Sequence, residues 1–298
     1  MSRLVVCIGA AKAGTTSLYA LMQQHPAVAT TTIKETNFFS DDAKYSNGFP
    51  WFLETYFPNS VSKQLLFEAD PGYMCSSTCL ERIRACDPQA RIVIMLRNPA
   101  DRAFSQWLYH VQSARSTETF PEALAMEPQR IRTGEAAVRR WGYIERGRYG
   151  KHIAQVFDYF PREQTRCVLF ERFIRNQAGE FEGLADWLGL PSASIAPTTE
   201  NVTGRPRSAL IARVLYDESL QSLRRALGKS FGSGKIKQWV LNSINRINVA
   251  AYHEQDRPRF DPILRRRILK ELEADIAYAQ QLTGLDLSIW REEHVTAA

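Results

Sequence analysis

Short apolar runs rich in β-branched residues alternate with longer amphipathic stretches through most of this chain. The runs occupy residues 4–8, 65–68, 91–96 and 166–170. Strands that stay apolar along nearly their whole length are typical of parallel sheets covered by helices on both faces. The alternation therefore predicts an α/β fold, with a central parallel sheet flanked by helices in a three-layer sandwich.

The stretches between and after these runs carry helical periodicity. Helices are predicted at about 15–25, 48–57, 77–86, 99–114, 148–160 and 178–189. After Leu190 a polar loop precedes further predicted helices near 207–226, 235–247 and 262–283. The segment 228–235, rich in Gly and Lys, is interpreted either as a flexible connector or as a mobile lid over an anionic substrate.

Composition and charge narrow the class of protein. The chain has 298 residues and a net charge of +6, which favours an anionic ligand, and no basic and aromatic repeat indicates a nucleic-acid partner. Five cysteines without CxxC spacing and only five histidines predict no metal site and suit a reducing compartment. No stretch approaches the roughly 18 apolar residues of a membrane span, so we expect a cytoplasmic protein without stable membrane insertion. The sequence leaves the oligomeric state open.

Near its start the chain turns from an apolar run through small residues into a helix, with the sequence VVCIGAAKAGTTSL at positions 5–18. Such a turn directs free backbone N–H groups and the positive end of the helix at one point, which suits a phosphate. Lys12 adds a mobile positive charge, and Thr15, Thr16 and Ser17 offer hydroxyl groups in the first helical turn, where they can also cap the helix. The stretch therefore predicts a phosphate-binding loop.

The spacing differs from that of the nucleotide-triphosphatase loop. That loop has its lysine directly after the second glycine, whereas here Lys12 precedes Gly14 by two residues. The run 91–96 also leads to Arg97, where an ATPase would have an aspartate for magnesium. We therefore expect phosphate chemistry without a metal ion.

A second basic stretch, RNPADRAFS, follows the run 91–96. Arg97 leaves the carboxyl end of the predicted strand, Pro99 suits the first turn of a helix, and Ser105 lies inside that helix. Arg97 and Ser105 can therefore converge on one phosphate group. Asp101 and Arg102 are interpreted as a pair on the helix surface, outside the site.

Together the two stretches resemble the donor-binding motifs of the sulfotransferases that use 3′-phosphoadenosine 5′-phosphosulfate (PAPS). AKAGTTSL resembles their 5′-phosphosulfate loop, and RNPADRAFS resembles their 3′-phosphate motif. The resemblance implies a P-loop-like fold, PAPS as donor, and adenosine 3′,5′-bisphosphate (PAP) as product. The implied donor-binding residues are Lys12, Ala13, Gly14, Thr15, Thr16, Ser17, Arg97 and Ser105.

A later stretch, NVTGRPRS at 201–208, resembles the family's loop that closes over the 3′-phosphate or adenine. The resemblance implies that Gly204, Arg205 and Arg207 also bind the donor. The same stretch can equally be an exposed helix N-terminus capped by Ser208.

The resemblance also implies the catalytic residues. IKETNFFS at 33–40 resembles the stretch of the heparan-sulfate branch in which a glutamate before paired aromatics acts as base, which implies that role for Glu35. Lys12 would stabilise the departing phosphate. The alternative for Glu35 is a solvated ion pair with Lys34. His110 is the second candidate base, because cytosolic sulfotransferases use a histidine after the third strand, but its position along the helix predicts that it points away from the cleft.

The chain departs from the family's pattern around EADPGY at 68–73. Ala69 stands where the family often has a lysine, so we expect Asp70 or Tyr73 to contact the acceptor instead, together with Phe38. The aromatic residues Phe38 and Tyr73 can equally belong to the hydrophobic core. Ser40 likewise replaces an aspartate that those enzymes often have.

The resulting prediction is a metal-independent sulfotransferase that acts on a hydroxyl or amine of a small-molecule, glycan or lipid-glycan acceptor. We expect residues 1–298 to form a single domain, with a donor-binding α/β core at about 1–190 and a helical part at about 191–298 that closes over donor and acceptor. The alternatives are an ATP-dependent phosphoryl transferase and a nucleotide-binding protein without chemistry.

Overall fold

A computed structural model of the chain describes residues 3–58, 60–198, 204–206, 249–251 and 258–291. Its main strands are β1 (Arg3–Gly9), β2 (Val28–Thr30), β3 (Leu65–Ala69), β4 (Arg91–Leu96) and β5 (Thr165–Leu169). They form one sheet in the order β2-β3-β1-β4-β5, and each neighbouring pair is parallel. The predicted central parallel sheet is confirmed. The sequence pattern did not reveal β2, which has three residues.

The described helices, in chain order, are α1 (Thr15–Gln24), α2 (Asp42–Tyr45), α3 (Gly48–Tyr56), α4 (Ser77–Cys86), α5 (Pro99–Gln112), α6 (Phe120–Arg130), α7 (Glu135–Trp141), α8 (Tyr149–Tyr159), α9 (Phe170–Arg175), α10 (Gln177–Leu188), α11 (Pro262–Glu271) and α12 (Glu273–Thr283). Helices α2, α6, α7 and α9 were not predicted. Helix α7 buries none of its side chains completely, so no apolar stripe marks it in the sequence.

Three predictions are corrected by the structure. The predicted helix at 262–283 is two helices, because the chain breaks at Leu272. Phe170 begins α9 instead of ending β5. The part after residue 190 is not wholly helical, since β6 (Gly204–Pro206) and β7 (Val249–Ala251) pair as an antiparallel ribbon. The helices predicted at 207–226 and 235–247, and the segment 228–235, lie outside the described residues.

The strand order places the functional motifs at one edge of the sheet. Strand β1 lies between β3 and β4, so the chain leaves β1 in one direction along the sheet and later crosses to its other side. In open parallel sheets, ligands bind at such a switch point, outside the carboxyl ends of the strands. The segments that follow β1, β3 and β4 are 10–14, 70–72 and 97–98, and they meet there.

The segment after α12 packs against the start of α5. The side-chain amide of Asn98 donates to the Trp290 carbonyl over 3.0 Å, and its carbonyl oxygen caps α5. Glu171 accepts from the Asn98 backbone N–H at 2.7 Å and from the Trp290 indole at 3.2 Å. These bonds hold the amino end of α5 in place on the sheet.

A second contact joins α5 to α11. Asp101 accepts two hydrogen bonds from Arg265, at 2.9 and 3.1 Å. Arg102 is wholly buried, and its guanidinium donates to Gln106 and to the Tyr143 carbonyl. The expectation that Asp101 and Arg102 form a surface pair is therefore corrected.

In the described part of the chain, none of the helices combines the length and the apolar character of a membrane-spanning segment.

Candidate active site

The turn between β1 and α1 leaves the amino end of the helix open. Gly14 is the N-cap, with φ at 86°, and no side chain in the described part of the chain caps α1. A Cβ on Gly14 would lie 2.8 Å from the Phe170 ring, so both the conformation and the packing require glycine. The first turn of α1 contains no acidic residue. The positive end of this helix is therefore suited to an anion.

The predicted phosphate-loop residues differ in their exposure to the neighbouring cleft. Those that line it are Lys12, Gly14, Thr15 and Thr16. Ala13 is wholly buried and its backbone N–H donates to the Ala10 carbonyl at 3.2 Å. Ser17 is half-buried on α1 and is not part of the cleft wall.

Lys12 is held in an unusual backbone conformation. Its φ is 67°, in the left-handed region that few non-glycine residues adopt. The ammonium nitrogen lies 4.8 Å from the centroid of the Tyr109 ring. Burial, followed by the positive charge of Arg97, lowers the pKa of Lys12 to about 8, while the Glu35 carboxylate opposes the shift. An anion bound beside Lys12 would favour its charged form.

Arg97 links the two motifs. Its guanidinium donates to the Lys12 carbonyl at 3.0 Å and lies 4.8 Å from the centroid of the Phe170 ring. The Arg97 carbonyl accepts a hydrogen bond from the Tyr149 hydroxyl at 2.9 Å. Burial lowers the pKa of Arg97, yet arginine remains charged at any physiological pH. Its guanidinium is therefore a fixed positive charge beside the loop.

The other residues predicted to hold the 3′-phosphate lie along α5 or beyond it. Ser105 is half-buried on α5. Strand β6, which contains Gly204 and Arg205, packs against α5. Arg207 lies outside the described residues. The structure thus brings the backbone at 204–206 to the helix that carries Ser105.

Glu35 lies in the segment 31–41 that joins β2 to α2, within a stretch of residues 35–37 that we call the Glu35 turn. Among the described residues, only four other than glycine have positive φ, and three of them are Lys12, Glu35 and Asn37. Residues held in such conformations cluster at functional sites. Lys34 forms an ion pair with Glu35, whose side chain is half-exposed, and Glu35 also lines the cleft. Glu35 is therefore both paired with Lys34 and accessible from the cleft, so the ion pair and the proposed role as base are compatible.

Asp70 lines the cleft directly after β3. Its carboxylate accepts from the backbone N–H of Gly72 at 3.0 Å and of Asn37 at 3.3 Å. Burial, and then the Glu35 carboxylate, raise the pKa of Asp70 to about 6. Asp70 is thus accessible from the cleft, and its contact with an acceptor stays a prediction.

Phe38 and Tyr73 do not reach the cleft, which corrects their predicted role as acceptor contacts. Both side chains have no exposed surface. Phe38 stacks on Phe52 with ring centroids 4.4 Å apart, and the Tyr73 hydroxyl donates to Glu68 at 3.1 Å. The paired aromatics thus form a core beneath the Glu35 turn.

The cleft has a volume of about 770 Å³ and an excess of positive charge. Its charged lining comprises five basic residues and two acidic ones, namely Lys12, Arg115, Arg139, Arg140, Arg146, Glu35 and Asp70. The Arg146 guanidinium is fixed by the carbonyls of Arg139 and Pro71, at 2.6 and 2.8 Å. Such a charge balance concentrates anions in the cleft.

His110 lies in the cleft wall, contrary to the expectation that it points away. It is 3% exposed, and its Nδ1 lies 2.8 Å from the Tyr143 hydroxyl. Burial and then the positive charge of Arg115 lower the pKa of His110 to about 3, so the imidazole is neutral near pH 7.

Sequence reasoning missed Tyr109 and the arginines of the cleft wall. A signal for Tyr109 existed, because Gln106, Tyr109 and His110 have the i, i+3, i+4 spacing that places side chains on one face of a helix. Arg139 and Arg140 lie on α7, which was not predicted, so nothing in the sequence indicated that they face the cleft.

Among the described residues, no group of three or more His, Cys, Asp or Glu could hold a metal ion.

A phosphate-type loop after the first strand of a parallel sheet, facing carboxylates across a basic cleft, is typical of P-loop-like α/β enzymes that transfer charged groups. Residues 3–251 match the family model described as the sulfotransferase domain. The chain therefore belongs to the sulfotransferase family.

Comparison with individual proteins agrees with this family. Human heparan sulfate glucosamine 3-O-sulfotransferase 3B1 is 30% identical over 185 residues, which are 62% of this chain and 45% of that protein. The chain thus spans about half the length of the curated relatives that it matches.

Two solved structures share the fold. A sulfotransferase from Alicyclobacillus acidocaldarius has a TM-score of 0.69 at 23% identity, with 98% of this chain and 100% of that chain covered. Mouse sulfotransferase SULT7A1 complexed with PAP has a TM-score of 0.50 at 12% identity, with 97% and 86% covered. The predicted P-loop-like architecture is confirmed.

Proposed function

We propose that this chain transfers the sulfuryl group of PAPS to a hydroxyl or amine of an acceptor bound in the cleft. The observation that carries the proposal is the placement of Lys12 and Glu35 in one cleft, beside the open amino end of α1. An enzyme that transfers a sulfuryl group needs positive charge at the leaving phosphate and a base at the acceptor. Lys12 supplies the positive charge, and Glu35 supplies the base.

The donor is proposed to lie across the carboxyl ends of β1 and β4. The backbone and hydroxyls at 13–17, with Lys12, hold the 5′-phosphosulfate. Arg97 and Ser105 hold the 3′-phosphate, and residues Gly204, Arg205 and Arg207 close over it. Support comes from the bond between Arg97 and the Lys12 carbonyl, because it places two phosphate-binding elements side by side. PAP, the ligand of the mouse structure, is the product that this donor leaves.

In the proposed reaction Glu35 accepts the proton of the acceptor as the new bond to sulfur forms. Lys12 stabilises the negative charge that develops on the phosphate oxygen as its bond to sulfur breaks, and PAP departs. Lys12, Arg97 and the amino end of α1 provide the positive charge, so the transfer is proposed to require no metal ion.

Glu35 is favoured over His110 as the base. His110 is only 3% exposed, so an acceptor in the cleft has little access to its imidazole. The Nδ1 of His110 is also engaged with the Tyr143 hydroxyl. Glu35 has a half-exposed carboxylate at the cleft, and its partner Lys34 can release it to an approaching acceptor.

The acceptor is proposed to be an anionic glycan or small metabolite. Five basic residues against two acidic ones line the cleft, and the planar guanidinium groups suit carboxylate, sulfate or phosphate substituents. The human relative is named for its action on heparan sulfate, which is one anionic glycan.

The deciding experiment combines calorimetry with turnover. We expect purified protein to bind PAP tightly in the presence of EDTA and to convert PAPS to PAP with an anionic sugar from an acceptor panel. Glu35→Gln should abolish turnover and keep PAP affinity. Glu54→Gln is the matched control, because it removes the same charge from an exposed position on α3.

Three outcomes would contradict the proposal. Preference for magnesium-ATP over PAP would support phosphoryl transfer instead. PAP binding without turnover on any acceptor would support a binding protein without chemistry. Equal activity of Glu35→Gln and wild type would remove Glu35 from the reaction.

A further inference from the structure

Hydrogen bonds from residues 68–70, at the end of β3, hold the turn that contains Glu35. The Ala69 carbonyl accepts from the Glu35 backbone N–H at 3.2 Å. The carboxyl oxygen Oε1 of Glu68 accepts from the Thr36 hydroxyl, and the Asp70 carboxylate accepts from the Asn37 backbone N–H. Three successive residues of a rigid strand end therefore bind three successive residues of the turn.

Glu68 differs from its neighbours because it never meets the cleft. It has no exposed surface and is not part of the cleft lining. Its Oε1 accepts from Thr36 and from the Tyr73 hydroxyl, the latter at 3.1 Å. Its Oε2 has no hydrogen-bond partner among the described residues. A buried acid with one oxygen unpartnered is costly, so packing alone does not account for it.

Thr36, whose hydroxyl binds Glu68, also makes hydrogen bonds that shape the turn. The Thr36 hydroxyl accepts from the Phe38 backbone N–H at 3.1 Å, and the Lys44 ammonium donates to the Thr36 carbonyl. Thr36 is wholly buried between Glu35 and Asn37, which both have left-handed backbone conformations. Such conformations persist only where the surroundings impose them.

We infer that Glu68 is a positioning residue, which acts through Thr36 to hold Glu35 at the cleft in the geometry needed for proton transfer. The inference rests on the proposed function for its catalytic meaning. Glu68 is not part of the cleft lining, and it fixes the hydroxyl of the residue next to the proposed base. Misplacement of a catalytic group by about 1 Å can cost on the order of 100-fold in rate, so loss of this bond reduces turnover and not binding.

The test compares two buried threonines, of which only Thr36 bonds Glu68. Thr36→Val removes the hydroxyl that Glu68 binds. Thr31→Val is the control, because Thr31 is 2% exposed and its hydroxyl lies 3.3 Å from that of Tyr19, much as the Thr36 hydroxyl lies 3.5 Å from that of Tyr73. We expect Thr36→Val to lower kcat roughly 10- to 100-fold. In Thr36→Val the acceptor KM and the PAP affinity should remain within about twofold of wild type. In Thr31→Val the kcat, the acceptor KM and the PAP affinity should all remain within that range.

Variants at Glu68 separate positioning from packing. Burial raises the pKa of Glu68 to about 8, so the neutral acid prevails near pH 7 and glutamine resembles it in shape and hydrogen bonding. Glu68→Gln should retain most of the turnover. Glu68→Leu, which fills the space without an acceptor oxygen, should lose kcat to the same degree as Thr36→Val.

A second readout does not depend on the reaction. Amide hydrogen exchange of the peptide covering 33–39 should accelerate in Thr36→Val and Glu68→Leu, and stay unchanged in Thr31→Val and Glu68→Gln. Faster exchange without any wild-type turnover would support the positioning and contradict the proposed function. Unchanged exchange, or equal kcat losses in both threonine variants, would overturn the inference even if the wild type is an active sulfotransferase.

Discussion

The guanidinium of Arg97 donates a hydrogen bond to the backbone carbonyl of Lys12, with 3.0 Å between Nη1 and the oxygen. The bond joins the end of β4 to the loop after β1. These segments are 85 residues apart in the sequence and adjacent because β1 and β4 pair in the sheet. A side chain proposed to bind the 3′-phosphate thereby also supports the residue proposed to stabilise the leaving phosphate. Changes at Arg97 should therefore affect both ends of the donor.

Arg97→Ala should weaken PAP binding by roughly 10- to 100-fold, because a charged hydrogen-bonding group at a phosphate is lost. The variant should also bind PAP and adenosine 5′-monophosphate almost equally. Calorimetric titration with both nucleotides measures this. Arg175→Ala removes the same charge from an exposed site on α9 and serves as the control. A wild type that does not distinguish the two nucleotides would refute the assignment.

Donor binding should depend on the protonation of Lys12. Its pKa is lowered to about 8 in the free protein, and a bound phosphate would raise it again. PAP affinity should thus fall as pH rises above 8, by up to about tenfold per pH unit, with uptake of a proton on binding. Calorimetry in two buffers of different ionisation enthalpy detects that proton. Lys12→Arg, which stays charged, should show no such uptake; equal uptake in both proteins would assign the proton elsewhere.

Replacement of His110 should leave the pH profile of turnover in place. The pKa of the imidazole is lowered to about 3, so His110 does not change charge between pH 5 and 8. We expect His110→Asn to retain turnover within about tenfold of wild type, with the same acid limb in kcat against pH. Tyr143→Phe, which removes the hydroxyl beside His110, is the companion variant. Loss of the acid limb in His110→Asn alone would make His110 the base.

Phe38→Leu should reduce stability and leave acceptor recognition unchanged. The ring is wholly buried and stacks on Phe52, so a smaller side chain leaves a cavity that costs roughly 1 to 2 kcal/mol. Urea unfolding measures the loss, and acceptor KM checks the recognition. Asp70→Asn is the contrasting variant, because Asp70 lines the cleft and its change should alter KM. A shift of KM in Phe38→Leu with normal stability would place the ring at the acceptor.

The sequence predicted those parts of the molecule that depend on local pattern. After an initial arginine, the strands β1 and β4 are apolar because helices cover both faces of the sheet, and this pattern can be recognised without a structure. The loop at 10–14 and the stretch after β4 were recognisable for a similar reason, since glycine, proline and capping residues stand at fixed spacings.

Features that depend on distant pairing were not predictable. The burial of Phe38 follows from a neighbour 14 positions along on α3, and the sequence offered an equally good interpretation of it as a pocket residue. The bond between Thr36 and Glu68 joins a turn to a strand end that no motif connects. The prediction of one domain over 1–298 remains a prediction.

The contacts of Trp290 set the order in which a growing chain can complete this edge of the sheet. The side-chain amide of Asn98 donates to a carbonyl 192 positions later in the chain. A ribosome must add all of those residues before the amino end of α5 has this partner, and contacts of such separation form slowly. A newly made molecule therefore completes the anchoring of α5 only after Trp290 has been synthesised, and a messenger truncated shortly before that tryptophan yields a sheet on which α5 lacks this anchor.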